Sequence, residues 1–582
     1  MTNSWNRGGA ILWSSGPWSL EVRDDEFADI SHHGRVILRS VRAVVRDRNW
    51  DTAALVVDRV AGSDSTVTLH VRTVGLGAEL SGIVRAEMRG DRLRMFTDLE
   101  SASEFWTNRT GLVVLHPPAL AGAPLRIAHS DGEIEQTRFP ESISPHQPAF
   151  DIVRLGWRHG DTDVNLRFDG DVFEMEDQRN WTDASYKTYS RPLSLPFPYR
   201  LTEGERVVQT VELEVTASAA GGQPSSVDAE SSSIALRPGG RFPSIALGAS
   251  TAPDPGPVFP PIGDEVLVEL DLASTNWRAA LHRSRAGGLP LDVRFLLDPA
   301  GRVTLLEGVA ELKGLEAIRI GAYHQVGDAR HVSDADAVDA LREALTHHGL
   351  AIPVVGGSRS HFTELNRERD RVPDELDGLT VTVTPLFHAS GTEQLVESVA
   401  MQRLVARQTS QLAGGRPVHV GPVCLRPRFN DVATASQPSP RTADLAEGYG
   451  AEYTGSVDER QSAPELAAWT VASAAALSVP GVASLAWFEE WGPRGIRTAA
   501  GDPLPVAVAI DALAALSASG GELLWGDSPD GTLWALGVRT AEGTTVLAAN
   551  IGRQAREVTI DIPDGAVTVT LDAGVFVELN RP

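Results

Sequence analysis

Alternating apolar and polar positions dominate the first 240 or so residues of this 582-residue chain. Five segments repeat with period two and break at Gly, Asp or Asn, which is typical of antiparallel β-strands. They are RVILRSVRAVVRD, STVTLHVRTV, GIVRAEMRGDRLRMFTDL, DTDVNLRFDGDVFEME and RVVQTVELEV. The pattern predicts a large N-terminal β-sandwich, with the Gly- and Ser-rich stretch from Thr216 to Ser233 as a flexible excursion.

The pattern changes near residue 262 to short apolar strands that alternate with helical stretches such as DADAVDALREALTHHG and APELAAWTVASAAAL. Seven strand patterns follow in this order: EVLVELDLAS, LDVRFLLD, EAIRIGAYH, AIPVVGG, LTVTVTPLFH, RPVHVGPVCL and VASLAWFEE. The segment RGIRTA is a weaker eighth. Eight such units have the size of a (β/α)8 TIM barrel. An open doubly wound sheet is the alternative, but no G-x-G-x-x-G motif opens a βα turn.

The tail, from GELLWGDSPDG to VTVTLDAGVFVEL, returns to short alternating strands joined by Asp-Gly and Glu-Gly turns. The predicted fold class is therefore multidomain, with α/β and all-β parts. We expect an N-terminal β-sandwich over residues 1–245, a TIM barrel over residues 246–519 and a small C-terminal β-sandwich over residues 520–582.

Composition narrows the choice of partners. The formal net charge is −25, which disfavours nucleic acid or an anionic membrane as a partner because either would be repelled. Cys424 is the one cysteine, so an internal disulfide framework is excluded. The N-terminal residues contain no apolar signal-peptide core, and we expect a cytoplasmic protein that acts on a small molecule. The sequence leaves a homo-oligomer open.

Polar side chains gather where the predicted barrel strands end, which is where TIM barrels carry their reactive groups. His324 ends the third strand, and His388 ends the fifth. The segment after the fourth strand contributes Arg359, His361, Glu364 and Asn366, and the seventh strand ends in Trp487 and Glu489. Each residue alone also fits a hydrogen-bonded structural role, but their common placement favours substrate contact.

Glu364 and Glu489 are the predicted catalytic pair. They follow strands three apart, so they are expected to face each other across the barrel mouth, as in retaining glycosidases of the clan A type. Such a pair needs environments that separate the two pKa values, with one carboxyl protonated and the other ionised. Glu490 is the alternative to Glu489, and a salt-bridge network with nearby arginines is the alternative to catalysis.

The segment from Glu176 to Lys187 is too polar for a core strand and too aromatic for a solvated turn. We expect it to reach over the barrel mouth, where its polar side chains bind sugar hydroxyls and its Trp stacks on the ring. The residues concerned are Asp177, Arg179, Asn180, Trp181 and Lys187. The alternative is a surface loop of the N-terminal domain that packs on Trp181.

No metal or other cofactor is expected. His324, His361 and His388 are predicted to lie at one mouth, but the sequence has no H-x-H or H-E-x-x-H spacing that would fix a zinc ion. The carboxylates suffice for acid–base chemistry.

Three segments resemble the signatures of bacterial D-apionate lactonases: MEDQRNWTDASYKTYSRPL, GGSRSHFTELNRER and WFEEWGPRGI. The resemblance spans the whole chain in the same order. It implies an N-terminal β domain, a central barrel and a C-terminal β domain. It further implies hydrolysis of the branched-sugar lactone D-apionolactone to D-apionate in a pathway for the use of apiose.

Three functions therefore stay open at this point. The first is a sugar lactonase. The second is a retaining glycoside hydrolase, with Glu364 as acid/base and Glu489 as nucleophile. The third is a non-catalytic sugar-binding relative.

Overall fold

A computed structural model describes residues 5, 9–160, 162–217, 232–297, 302–432 and 438–582. Residues 218–231 of the predicted excursion lie outside this range. The N-terminal domain consists of eighteen strands: β1 (Ile11–Ser15), β2 (Trp18–Arg23), β3 (Glu26–His32), β4 (Arg35–Asp47), β5 (Ala54–Gly62), β6 (Thr66–Val74), β7 (Leu80–Arg89), β8 (Arg92–Ser101), β9 (Phe105–His116), β10 (Pro124–Ala128), β11 (Ile134–Arg138), β12 (Ala149–Ile152), β13 (Arg154–His159), β14 (Thr162–Asp169), β15 (Phe173–Asp177), β16 (Tyr186–Ser190), β17 (Tyr199–Leu201) and β18 (Arg206–Ala217).

These strands form two nine-stranded sheets, and the predicted β-sandwich is confirmed. One sheet has the order β1-β2-β3-β4-β9-β16-β15-β12, with β17 on β9; the other has the order β11-β10-β13-β14-β18-β8-β7-β6-β5. Alternate apolar side chains of both sheets meet in one core, which includes Phe27, Val41, Leu69 and Phe168. The period-two pattern thus buries one face of each strand.

Two strands after the N-terminal domain belong to the C-terminal domain instead. They are β19 (Ser232–Ala235) and β20 (Arg237–Arg241). β19 pairs in parallel with residues 558–561, and β20 pairs antiparallel with residues 522–525. Their partners lie about 300 residues further along the chain, so these two strands pair with the C-terminal domain although they precede residue 245.

The central domain is a closed parallel barrel of eight strands. They are β21 (Ser244–Gly248), β22 (Glu265–Asp271), β23 (Leu291–Leu297), β24 (Ala317–His324), β25 (Val355–Gly357), β26 (Gly378–Val383), β27 (Val418–Val423) and β28 (Val482–Glu489). β21 pairs with both β22 and β28, and a parallel bridge between Ile320 and Val354 joins β24 to β25. The barrel is confirmed, and the open-sheet alternative is wrong because every strand has two neighbours.

The first and last barrel strands differ from the prediction. β21 precedes the first strand expected from the sequence, EVLVELDLAS, so each predicted strand moves up by one place and Glu489 ends the eighth strand. The segment RGIRTA forms only isolated bridges, at Gly495 and Arg497. Seven α-helices accompany the strands in the described part of the chain: α1 (Trp277–Ser284), α2 (Arg302–Ala310), α3 (Ala335–His348), α4 (Phe362–Arg367), α5 (Thr392–Ala413), α6 (Glu465–Leu477) and α7 (Val506–Ala518).

The C-terminal domain is a small β-sandwich, as predicted. Its last six strands are β29 (Glu522–Trp525), β30 (Leu533–Thr540), β31 (Gly543–Asn550), β32 (Arg556–Ile562), β33 (Gly565–Leu571) and β34 (Val575–Arg581). With β19 and β20 they form a three-stranded and a five-stranded sheet. Short 3-10 helices occur at Pro118–Leu120, Gln178–Trp181, Arg369–Arg371, Gly450–Thr454 and Glu459–Ser462. Among the helices described, none has the length and apolarity needed to cross a membrane.

Candidate active site

The carboxyl ends of the barrel strands surround a cavity of about 550 Å³, which we call the mouth cavity. Its wall carries carboxylates, guanidinium groups, an imidazole and a phenol. The residues that matter below are Glu269, His331, Arg359, Arg428, Asp431, Tyr449 and Glu489. Reactive groups of TIM barrels lie at this end of the strands.

Glu489 is held in the mouth cavity as an ion-paired carboxylate. Arg494 donates from Nε to Oε1 at 2.9 Å, and the Thr251 hydroxyl donates to the same oxygen at 2.7 Å. The Thr251 backbone N–H donates to Oε2 at 3.0 Å. Three donors from two loops therefore fix the direction of this side chain. Its neighbour Glu490 does not line the cavity, and burial raises the pKa of Glu490 to about 7.

A β-bulge next to Glu489 sets the direction of its side chain. The pairing of β21 with β28 runs from Leu247 opposite Trp487 to Gly248 opposite Glu489, so Phe488 is an extra residue. Phe488 has a φ of 49°, which is left-handed backbone for a non-glycine residue. The bulge lets Glu489 face the cavity although Trp487, two residues earlier, points into the core.

Two arginines are anchored on the cavity wall by Glu269, which belongs to β22. Arg359 donates from Nη2 to Glu269 at 3.0 Å, and Arg428 donates to the same carboxylate oxygen. Burial alone would raise the pKa of Glu269, but the charges of Arg359 and then Arg428 lower it to about 2. Glu269 is therefore a poor proton acceptor, and its role is to hold the two guanidinium groups at the cavity.

A neutral imidazole completes this group. His331 lies 3.0 Å from Arg359, between Nδ1 and Nη1, and its ring packs on Phe429 at 4.7 Å between centroids. Burial and the charge of Arg359 hold the pKa of His331 well below its usual range. His331 therefore accepts a hydrogen bond from the guanidinium and keeps it in place.

Glu364 lies behind the cavity wall and reaches it through Asp431. It is the third residue of α4, where its Oε2 accepts the His361 backbone N–H at 3.0 Å and the Ser360 hydroxyl at 2.5 Å, a capping box. Its carboxyl group forms a hydrogen bond with that of Asp431, which lines the mouth cavity. Burial raises the pKa of Glu364, and burial together with Glu364 raises that of Asp431 well above its usual range. These shifts favour a state in which the two carboxyl groups hold one proton between them.

Two further groups on the wall are uncharged. Burial raises the pKa of the Cys424 thiol to about 12, so Cys424 is not a thiolate nucleophile. Burial and then the charge of Glu489 raise the pKa of Tyr449. The Tyr449 hydroxyl is buried and has no hydrogen-bond partner within the described residues, which leaves it available to a ligand.

Several residues expected at the mouth lie in a second cavity, of about 1020 Å³, between the N-terminal sandwich and the barrel. We call it the junction cavity. Trp181, Lys187 and His388 line it, and His388 is hydrogen-bonded through Nδ1 to Asp183 at 2.8 Å. Both cavities have Phe429 in their walls, so they adjoin.

Asp177, Arg179 and Asn180 line neither cavity and instead build the loop that carries Trp181. Arg179 is 1% exposed, pairs with Asp177 at 2.7 Å and donates to the carbonyl oxygens of residues 140–142. Asn180 donates to the Ser144 carbonyl at 2.6 Å. The structure gives these three side chains a supporting position, although the sequence predicts sugar contact.

The remaining predicted contact residues also lie outside both cavities. His324 pairs with Asp334 at 2.9 Å, and Asn366 donates to Asn180 at 3.1 Å. His361 is buried against Phe387, and burial lowers its pKa to about 3. Trp487 is fully buried in the core, because the bulge at Phe488 leaves it facing the helix layer. Of the residues placed after the fourth predicted strand, only Arg359 contacts the mouth cavity directly.

Sequence reasoning missed Glu269, His331, Asp431 and Tyr449 as site residues. Glu269 had a signal, since it is a charged residue inside the apolar strand EVLVELD. The other three lie in loops whose path the sequence does not reveal. Within the described residues, no group of three or more His, Cys, Asp and Glu side chains is arranged to hold a metal ion.

Comparison with known proteins connects this site to one family. The model of the D-apionate lactonase N-terminal domain matches residues 4–218, and the model of the D-apionate lactonase TIM barrel domain matches residues 265–518. A D-apionate lactonase of Brucella anthropi is 28% identical over 527 residues, which is 84% of each chain.

Solved structures show more distant likeness. A beta-arabinopyranosidase aligns over 98% of each chain, with 12% identity and a TM-score of 0.29. A GH30 endoxylanase from Clostridium papyrosolvens aligns over 60% of this chain and 98% of its own, with 10% identity and a TM-score of 0.38. The two family models together span most of both large domains, and the chain is a hydrolase that belongs to the D-apionate lactonase family.

Proposed function

We propose that this hydrolase opens D-apionolactone to D-apionate at the mouth cavity, as a step in the catabolism of apiose. The observation that carries the proposal is the set of groups on one wall: the ion-paired carboxylate of Glu489, the guanidinium groups of Arg359 and Arg428, and the proton-sharing carboxyl of Asp431. The Brucella anthropi relative, which is named D-apionate lactonase, supports the choice of lactone.

The hydrolysis needs a base, an oxyanion partner and an acid. Glu489 takes a proton from water as the water oxygen adds to the lactone carbonyl carbon. The developing oxyanion is stabilised by Arg359 and Arg428, which Glu269 holds in place before the reaction begins. When the ring C–O bond breaks, the Asp431 carboxyl protonates the leaving oxygen, and Glu364 shares its proton with Asp431. Glu364 therefore does not contact the substrate, and its role is to supply the proton that Asp431 donates.

The shape of the substrate fits this site type. A sugar lactone has a trigonal carbonyl carbon in a flattened ring, which resembles the transition state of glycoside hydrolysis. A TIM-barrel pocket suited to that transition state therefore suits a sugar lactone.

The first prediction is a loss of turnover in Glu489→Gln. The amide keeps the shape of the side chain but cannot accept the proton, so kcat/KM on D-apionolactone should fall by about 10²–10⁴-fold. The value of kcat/KM is measured from the release of acid in a weakly buffered solution that contains a pH indicator. Glu307→Gln is the matched control, since Glu307 is an exposed carboxylate on α2 that pairs with Arg278.

The alternative reaction is retaining glycoside hydrolysis, with Glu364 as acid/base and Glu489 as nucleophile. That mechanism needs two carboxyl groups about 5–5.5 Å apart that both face the substrate. The position of Glu364 behind Asp431 weighs against it. Aryl glycosides test it: turnover of a glycoside in place of the lactone, with azide rescue of Glu489→Ala to an inverted glycosyl azide, would establish the glycosidase and overturn the lactonase.

A further inference from the structure

The junction cavity carries more positive charge than the groups around it neutralise. Four cationic side chains line it from neighbouring strands of one sheet: Arg42 and Arg46 from β4, Arg109 from β9 and Lys187 from β16. Arg42 is paired with Asp25 at 2.8 Å. Glu176 pairs with Lys187 at 2.5 Å. Within the described residues, neither Arg46 nor Arg109 has a carboxylate within 4.0 Å, and the acidic groups that act on Arg46 and Arg109 from further away are Glu176 and Asp183. Two guanidinium groups therefore face the cavity without an ion pair of their own.

Arg109 is the most telling of these side chains. It is 4% exposed, and its guanidinium carbon lies 3.5 Å from the ring centre of Tyr189 and 5.3 Å from that of Trp50. Its Nε is buried and has no hydrogen-bond partner in the described part of the chain. The two rings fix the plane of the guanidinium but do not accept a hydrogen bond from its Nε–H group.

The charges in this cavity repel each other. Burial, and then the positive charge of Arg109, lowers the pKa of Arg46 to about 10. Burial lowers the pKa of Lys187 to about 8, against the attraction of Glu176. A buried charge without a partner is unfavourable, and an anion in the cavity would relieve the repulsion. This local excess of positive charge is the more notable in a chain whose net charge is −25.

We propose that the junction cavity binds the carboxylate of a polyhydroxylated sugar acid between Arg46 and Arg109. A planar guanidinium matches a carboxylate with two parallel hydrogen bonds. Trp50 and Trp181 supply aromatic walls for the C–H faces of the carbon chain, and a cavity of about 1020 Å³ has room for such a ligand.

The identity of the acid rests on the proposed function. Hydrolysis of a neutral lactone creates one carboxylate, and the junction cavity adjoins the mouth cavity at Phe429. The guanidinium groups attract the acid product and have no such attraction for the lactone. The junction cavity is therefore a product site, separate from the groups assigned to the chemistry.

Titration calorimetry on the full-length protein tests the proposal with three ligands: D-apionate, the neutral polyol obtained by reducing it, and inorganic phosphate. The acid should bind at least about tenfold more tightly than the polyol, since a hydrogen bond to a charged group is lost in the polyol. Phosphate that binds as tightly as the acid would overturn the assignment to a carboxylate.

Variants then locate the bound acid. Arg109→Gln and Arg46→Gln should each weaken its binding by roughly ten- to a hundredfold. Arg72→Gln, which removes an exposed arginine paired with Asp58 on the other sheet, should change neither binding nor turnover. Binding that survives both cavity variants but is lost in Arg428→Gln would put the acid in the mouth cavity and overturn the proposal. If the cavity variants fail to fold, Arg428→Gln decides: loss of acid binding in that variant would put the acid in the mouth cavity and overturn the proposal, and retained binding would support the junction cavity.

The two proposals fail separately. Arginine-dependent binding of the acid without turnover of the lactone would refute the proposed function and leave an acid-binding site. Turnover without binding of the acid would refute the product site and leave the lactonase.

Discussion

Single residues at the mouth cavity separate two carboxyl groups by their surroundings. Glu489 accepts three hydrogen bonds, one of them from the Arg494 guanidinium. Glu364 is buried, and the pKa of Glu364 and that of the neighbouring Asp431 are both raised. One carboxylate and one protonated pair in the same pocket are the combination that acid–base catalysis at neutral pH requires.

The second prediction concerns stability and pH at Glu364. Burial raises the pKa of Glu364 above its ordinary value of 4.5, so the folded protein keeps this proton to higher pH than the unfolded chain does. The free energy of unfolding should therefore fall as pH rises from about 4.5 through the folded pKa. Gln at position 364 can still accept the His361 N–H of the capping box but does not titrate.

Urea unfolding of the unaltered protein and Glu364→Gln at pH 5 and pH 8 measures this effect. The stability of the variant relative to the unaltered protein should improve at pH 8 by on the order of 1 kcal/mol, because each unit of pKa shift is worth about 1.4 kcal/mol. Glu307→Gln should show no such pH dependence. A difference for Glu364→Gln that is the same at both pH values would contradict the shared proton.

The sequence predicts well which residues lie at the mouth cavity when their position at the end of a strand alone determines it. Glu489 ends an apolar strand, and that position predicts the correct end of the barrel, although the bulge at Phe488 turns its side chain into the mouth cavity. Glu364 follows a strand as well, but it starts a short helix whose N-terminus takes up its carboxylate. Trp487 was expected on the pocket wall, and only the extra residue Phe488 explains why it faces the core. Such differences depend on hydrogen bonds and bulges that no periodicity encodes.

At the scale of elements, the pairing of β21 with β28, which we call the seam, determines where Glu489 lies. β21 is five residues long, and its partner strand lies about 240 residues away, with Ala246 opposite Ala486. A short strand before a Pro-rich stretch resembles a linker, and only the closed barrel identifies it. The long helices, by contrast, follow their predictions, since α3 and α6 have the expected length.

The third prediction is that Gly248→Ala disturbs this seam. A Cβ at Gly248 would lie 2.5 Å from the Phe488 carbonyl oxygen, so β28 must move next to Glu489. Overpacking of this kind costs about 1–3 kcal/mol of stability. The displacement of Glu489 should also lower kcat/KM by about 10–100-fold.

Thermal unfolding and the lactone assay measure both effects of Gly248→Ala. Gly287→Ala is the control, because its Cβ would meet only the Pro261 side chain, at an ordinary 3.4 Å. Its stability should stay within about 0.5 kcal/mol of the unaltered protein. Full stability and activity in Gly248→Ala would show that the seam does not hold Glu489.

At the scale of the whole molecule, the N-terminal sandwich is fastened to the barrel by buried polar contacts. Asn366 of α4 donates to the Ile143 carbonyl and to Asn180. Arg39 of β4 lies between Glu26 of its own domain, at 2.8 Å, and Glu397 of α5, at 3.0 Å. These contacts join the N-terminal sandwich to the barrel, and both domains line the junction cavity.

The last prediction tests this fastening with a double-mutant cycle on Arg39 and Glu397. Arg39 is 8% exposed, and its removal leaves two carboxylates without their shared cation. Arg39→Met should therefore destabilise the protein by about 3 kcal/mol, and Glu397→Gln by less. The double variant should lose at least about 0.5 kcal/mol less than the sum of the two single losses, since the two side chains are in contact.

The control is Arg200→Met, which breaks an exposed pair with Glu104 and should cost under about 1 kcal/mol. Calorimetry measures all four variants, and additive losses at Arg39 and Glu397 would show that this ion pair does not couple the sandwich to the barrel.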